Sequence, residues 1–136
     1  MDLADNTCKH GAAWAAEVAS RSNFPPVDQR ETDNALRQQV FDAVAASDPV
    51  GYALSCEMMV DETHKDPVYS RVDCPTLVIA GKYDVIGPVQ KAKEIVELIG
   101  SEKCRLEVLD CGHQPIIEHA SMVQEAIDSL LQSVGA

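Results

Sequence analysis

Pro75-Thr76-Leu77-Val78-Ile79-Ala80-Gly81-Lys82-Tyr83-Asp84 is the stretch whose reading decides the fold. Its first seven residues form a continuous apolar run, rich in β-branched side chains and closed by glycine. Such a run predicts a strand buried on both faces of a parallel sheet. Gly87-Pro88 then opens a helix in which Val89, Ala92, Ile95, Val96 and Ile99 share a face, with Gly100 as the stop signal. Arg105 to Asp110 reads as a second, alternating strand, and Cys111 to Glu118 as a loop. A closing helix starts near Ser121, where Ser121 and Gln124 have capping-box spacing. Its expected buried face is Val123, Ala126, Ile127, Leu130 and Leu131. The order β-α-β-α predicts a parallel pair joined by a right-handed crossover, an α/β arrangement.

Upstream, from about residue 10 to 64, the pattern is helical and strand-free. Ala15, Val18 and Ala19 follow helical spacing, and Arg21 to Asp28 reads as a loop centred on Pro25-Pro26. Leu36, Val40, Ala43 and Val44 make the next stripe, from about Thr32 to Ala46. After Ser47-Asp48-Pro49, Asp48 is placed to cap a new helix with Pro49 at its first position, where a missing N–H costs nothing. That helix is expected to carry Tyr52, Cys56, Met59 and Val60 on one face.

The whole chain has 136 residues, 46% hydrophobic, with 11 Lys plus Arg against 22 Asp plus Glu, for a net charge of −11. That length suits one globular domain. The acidic excess, with no basic stripe to offset it, excludes nucleic acid as an expected partner. No apolar stretch of membrane-spanning length occurs, so no membrane partner is expected. Met1-Asp2-Leu3-Ala4-Asp5 has no basic region leading into an apolar run, so no secretory signal is read and a cytoplasmic location is expected. The odd set Cys8, Cys56, Cys74, Cys104 and Cys111 then reads as reduced thiols. Cys104, Cys111 and His113 lack the paired spacing of zinc ligands, and no metal or cofactor is expected. Gly81-Lys82 lacks the upstream glycine and the following Ser/Thr of a phosphate loop.

In parallel sheets, functional groups gather past the C-terminal ends of strands, where loops converge on one edge. Asp84 follows the first predicted strand and His113 follows the second, 29 residues later. Neighbouring parallel strands bring these loops side by side, and a carboxylate beside an imidazole fixes its tautomer and stabilises the imidazolium. A loop Asp also serves as a turn residue or helix cap, and a lone His as a structural residue. Spacing alone leaves both readings open.

At these residues the sequence resembles the α/β-hydrolase superfamily. Cys74 to Asp84, with Pro88 after it, is similar to that family's strand leading to the catalytic acid. Cys111-Gly112-His113 with Glu118 downstream is similar to its histidine loop. The helical stretch containing Asp48-Pro49-Val50-Gly51-Tyr52 and residues 61–66 is similar to its cap and the link back to the sheet. Within the superfamily the branch of 3-oxoadipate enol-lactonase and related hydrolases is the most similar. The resemblance covers roughly residues 25 to 133. It implies the C-terminal part of the α/β-hydrolase fold: an N-terminal helical segment over 1–24, a cap-like helical region over 25–70, and a βαβα portion over 71–136.

The resemblance also implies a Ser–His–Asp triad in which serine attacks an acyl carbonyl, with Asp84 as the acid and His113 as the base. The nucleophile does not carry over. Its Gly-x-Ser-x-Gly elbow is absent, because Ala13, Ala53, Tyr83, Val89, Glu102 and Gln114 stand two positions after glycines. Ser55, Cys56, Cys8 and Ser20 lack the preceding strand that exposes a nucleophile in this fold. The expectation is therefore a partial hydrolase, inactive alone, whose completed form acts on a small-molecule ester or lactone. Under that reading 136 residues is about half a domain, and much of the apolar content is patterned to pack on a sheet outside these residues. The alternative is a non-catalytic interaction module that pairs through an exposed sheet edge, as a homodimer or with a complementing chain.

Overall fold

The computed structural model describes residues 3–100, 102 and 104–135; Met1 and Asp2 of the segment read for a secretory signal lie outside them. Four helices come first: α1 (Leu3–His10), α2 (Ala12–Ser22), α3 (Asn34–Ala45) and α4 (Pro49–Val60). A short 3-10 turn, Tyr69–Arg71, leads into β1 (Thr76–Gly81), α5 (Val89–Ile99), β2 (Cys104–Leu109), α6 (Pro115–Glu118) and α7 (Ala120–Ser133). No helix among the described residues is long and apolar enough to cross a membrane.

Local chemistry sets several of these boundaries. Asp33 caps α3 by accepting from the Ala35 amide at 2.8 Å, and Asp48 caps α4 by accepting from Gly51 at 2.7 Å, with Pro49 in the first turn. Gly100 ends α5 at φ 103, a conformation that glycine adopts without steric cost. The expected capping box of α7 does not form. His119 donates its amide to Pro115 and accepts from Val123, so α6 runs almost directly into α7. The helix therefore starts at Ala120, Ser121 falls inside it, and Gln124 instead donates to Asp128 at 2.8 Å.

The two strands are parallel and in register from Thr76 opposite Cys104 to Gly81 opposite Leu109. Helix α5 packs on both strands, and α6 and α7 on β1, while α2 packs on α3 and α1 on α2 and α4. The core falls into three small clusters: Ala4–Ala53–Cys56, Ala19–Phe24–Val40 and Leu109–Cys111–Val123.

Burial departs from expectation in three places. In β1 only Ala80 and Gly81 are buried, and Thr76 to Ile79 are half-buried, because among the described residues the sheet has two strands and one edge of β1 has no strand partner. On α4, Tyr52 and Cys56 face the core but Met59 and Val60 are exposed. On α7, Val123 and Ala126 are buried while Ile127 and Leu131 stay exposed.

Candidate active site

The turn after β1 continues the strand pairing before it breaks away. Lys82 donates its amide to Leu109 at 2.8 Å and Tyr83 to Cys111 at 2.9 Å, while Asp84 turns back to Gly81 at 3.2 Å. This brings the chain close to the loop after β2. A Cβ on Gly81 would lie 1.9 Å from the Gly112 carbonyl oxygen and 2.7 Å from that of Cys111. Only glycine permits that approach.

Asp84 uses both carboxylate oxygens. Oδ1 accepts from the amides of Ile86 and Gly87, each at 2.8 Å, an Asx-type turn that fixes the side chain against its own backbone. Oδ2 lies 2.8 Å from Nδ1 of His113. The Asp84 side chain is 8% exposed and the His113 side chain 39%, so a nearly buried carboxylate meets a ring open to solvent on its other side. With Nδ1 engaged, Nε2 is the ring nitrogen available to exchange a proton with a ligand.

The His113 loop is held on several sides. Gly112 donates its amide to Oε1 of Glu118 at 2.8 Å, and His113 donates its own to the Asn23 carbonyl at 2.7 Å. The Gln114 side chain donates to Oδ1 of Asn23 at 2.7 Å. Glu118 is 1% exposed, and its Oε2 lies 3.6 Å from the Arg30 guanidinium, whose charge offsets burial of the carboxylate. Arg30 also donates to the carbonyl of Asp110 and lies 3.8 Å from its carboxylate, which meets Lys82 at 3.3 Å on the far side.

Cys111 is fully buried beside these groups. Burial first, and the neighbouring Glu118 carboxylate second, push its thiol up to about 11, so it is protonated and a poor nucleophile at neutral pH. Cys104 begins β2 and Cys111 follows its end, a separation of roughly 20 Å along the strand at ~3.3 Å per residue. Among the described residues no group of three or more His, Cys, Asp or Glu is placed to hold a metal ion.

The structure thus brings Asp84 and His113 together and leaves Ser55, Cys56, Ser20 and Cys8 on helices, away from strand ends. Ser55 lies in α4 and donates to the Gly51 carbonyl at 2.9 Å, and Cys56 packs in the cluster with Ala4 and Ala53. Ser20 in α2 donates to the Glu17 carbonyl at 3.0 Å, and Cys8 is exposed on α1. Sequence reasoning missed Asn23 and Arg30. Asn23 is readable as a helix end before Phe24-Pro25-Pro26, but nothing local signals a partner 91 residues away.

No protein-family model matches the chain, and a search of curated proteins finds no match. Solved structures do match. The chain is similar to an esterase from Thermogutta terrifontis, at 22% identity and a TM-score of 0.82, over 98% of this chain and 48% of that one. It is similar to the enol-lactonase from Burkholderia xenovorans at 24% identity and a TM-score of 0.82, over 96% and 48%. It is also similar to a serine hydrolase involved in carbazole degradation, at 24% identity and a TM-score of 0.63, over 88% and 47%. The chain spans about half the length of the solved structures it matches. These likenesses are likenesses of fold.

Proposed function

We propose that this chain, whose fold is part of an α/β-hydrolase fold, supplies the acid and the base of a Ser–His–Asp triad that hydrolyses an ester, lactone or related acyl bond. The observation that carries this reading is the 2.8 Å contact between Asp84 Oδ2 and His113 Nδ1, with the other Asp84 oxygen tied to two amides. In this reading Asp84 holds the ring in the Nδ1–H tautomer and stabilises the imidazolium. His113 Nε2 takes the proton from a nucleophile hydroxyl as it attacks the acyl carbon, then returns it to the leaving group. The serine comes from a Gly-x-Ser-x-Gly elbow outside these 136 residues, so the chain is not active by itself. The matched structures, an esterase, an enol-lactonase and a serine hydrolase, agree in reaction class.

The test is hydrolysis of p-nitrophenyl esters and simple lactones by the chain alone and by the chain supplied with a segment bearing Gly-x-Ser-x-Gly. No turnover is expected from the chain alone. The completed protein is expected to lose at least about a thousandfold in kcat with His113→Ala. Turnover by the chain alone that vanishes in His113→Ala overturns the external nucleophile. A completed enzyme indifferent to His113→Ala overturns the assignment of the base.

A second reading has its own observation in the open edge of β1, where Thr76 to Ile79 are only half-buried. Here the chain is a non-catalytic module that pairs through that edge with a second copy or a complementing chain. A monodisperse monomer with a single cooperative melt would count against it.

A further inference from the structure

The contact between His113 and Asp84 fixes one end of the imidazole. It does not fix the backbone from which the ring hangs, and a side chain with two torsions reaches a stationary carboxylate reproducibly only when its Cα is held. Part of that hold comes from the βα units. Tyr83 donates to the Cys111 carbonyl at 2.9 Å, and Glu118 accepts from Gly112 at 2.8 Å. The rest comes from the helical region, through Arg30, which donates to the Asp110 carbonyl, and most directly through Asn23. Asn23 accepts from the His113 amide with its carbonyl and from the Gln114 side chain with Oδ1, both at 2.7 Å.

Asn23 is itself braced. Its Nδ2 donates to the Ala19 carbonyl at 2.8 Å, tying it to the end of α2. The next residue, Phe24, is buried, and the two segments lie so close that a Cβ on Gly112 would meet the Asn23 carbonyl oxygen at 2.6 Å and Phe24 Cα at 2.7 Å. Arg37 of α3 donates to the Ser20 carbonyl at 2.9 Å and to that of Pro25 at 3.0 Å, with its guanidinium 5.1 Å from the centre of the Phe24 ring. Two helices therefore converge on the segment that grips the His113 loop.

We propose that Asn23 is a positioning residue for His113: through its two oxygens the end of α2 sets where the base stands against Asp84. The inference rests on the reading of His113 as base given above. A residue that merely ends a helix uses its side chain toward that helix, as Nδ2 does. Oδ1 is turned the other way, toward the loop.

The two roles separate in one experiment on the full chain labelled with 15N at histidine. The readout is the Nδ1–H signal of His113 and its exchange with water. Asn23→Ala removes both side-chain bonds. Asn23→Asp keeps an acceptor toward Gln114 but loses the donor to Ala19. The expected result is exchange roughly threefold to tenfold faster in Asn23→Ala, the fold-change that one lost hydrogen bond sets, with Asn23→Asp close to the parent. Gln114→Ala should match Asn23→Ala, and the double variant should add nothing further. Should Asn23→Ala fail to fold, Gln114→Ala makes the same comparison from the loop side. Equal acceleration by Ala and Asp at position 23, or parental exchange in both Asn23→Ala and Gln114→Ala, overturns the inference while Asp84→Asn still abolishes the signal. A signal that survives Asp84→Asn overturns the acid–base reading, and this inference with it.

Discussion

The helical region, residues 3–60, and the βα region, residues 76–133, differ in how much room they leave at their glycines. Most buried positions of the helices are small, among them Ala4, Ala15, Ala16, Ala19 and Ala53, so the helices approach through alanines. Val50, Leu54, Met58, Met59 and Val60 remain exposed on α4. The βα region buries alanines as well, Ala80, Ala92 and Ala126, but it also packs Leu109, Cys111 and Val123 together and draws two loops in until Gly81 touches the Gly112 backbone. Tight geometry is thus concentrated at the strand ends, where Asp84 and His113 meet. The helices form a more forgiving frame that reaches this point through Asn23 and Arg30.

The largest expected effect tests that contrast directly. A methyl group at Gly81 would lie 1.9 Å from one backbone oxygen and 2.7 Å from another. Gly81→Ala should therefore cost about 3 kcal/mol or more, or yield no folded protein. The helical counterpart, Gly51→Ala, meets its nearest atom at 3.4 Å and should be neutral or stabilising by up to ~1 kcal/mol. Urea midpoints of the two variants make the comparison, and equal costs would erase it. Next in size, Leu109→Ala opens a cavity in a nearly inaccessible position and should cost about 2–5 kcal/mol. Leu54→Ala, on the exposed face of α4, should stay within ~0.5 kcal/mol of the parent.

The same contrast explains what was legible in the sequence. The βα region announces itself through signals that act locally: a β-branched run, glycines at turns and helix ends, and polar groups just past the strands. Those signals lead to β1, α5 and β2, and to Asp84 opposite His113. Burial was less legible because it depends on what lies against a face. Met59 and Val60 are apolar at positions expected to face inward, yet nothing among the described residues covers them. The same holds for Ile127, for Leu131 and for the half-buried start of β1. The Asn23 grip was invisible for another reason. Its partners are backbone and amide groups far along the chain, and no residue type or spacing encodes them.

Helix starts sharpen the comparison at a smaller scale. Asp48 accepts from the Gly51 amide, so Asp48→Ala should cost about 1 kcal/mol. Ser121 has the spacing of a cap but sits inside α7, and Ser121→Ala should change little. Thermal melts that reverse this order would mean that α7 starts at Ser121 in solution.

The last effect is silent at neutral pH. Burial raises the thiol of Cys56 in the helical region, and in the βα region Cys111 adds the Glu118 carboxylate to burial and reaches about 11. In the unfolded chain a cysteine releases its proton near pH ~8.5. Above that point the unfolded state binds fewer protons than the folded one, so stability is full below about 8.5 and falls as the pH rises toward about 11. Urea midpoints measured up that range should decline in the parent chain, and Cys111→Ala should flatten the decline more than Cys56→Ala does. Glu118→Gln separates the causes. It removes the carboxylate that raises the thiol and leaves the Arg30 charge that lowers it, so the slope attributable to Cys111 should shrink while the thiol stays buried. An unchanged slope would mean that the Glu118 charge does not act on this thiol and that its burial sets the rise.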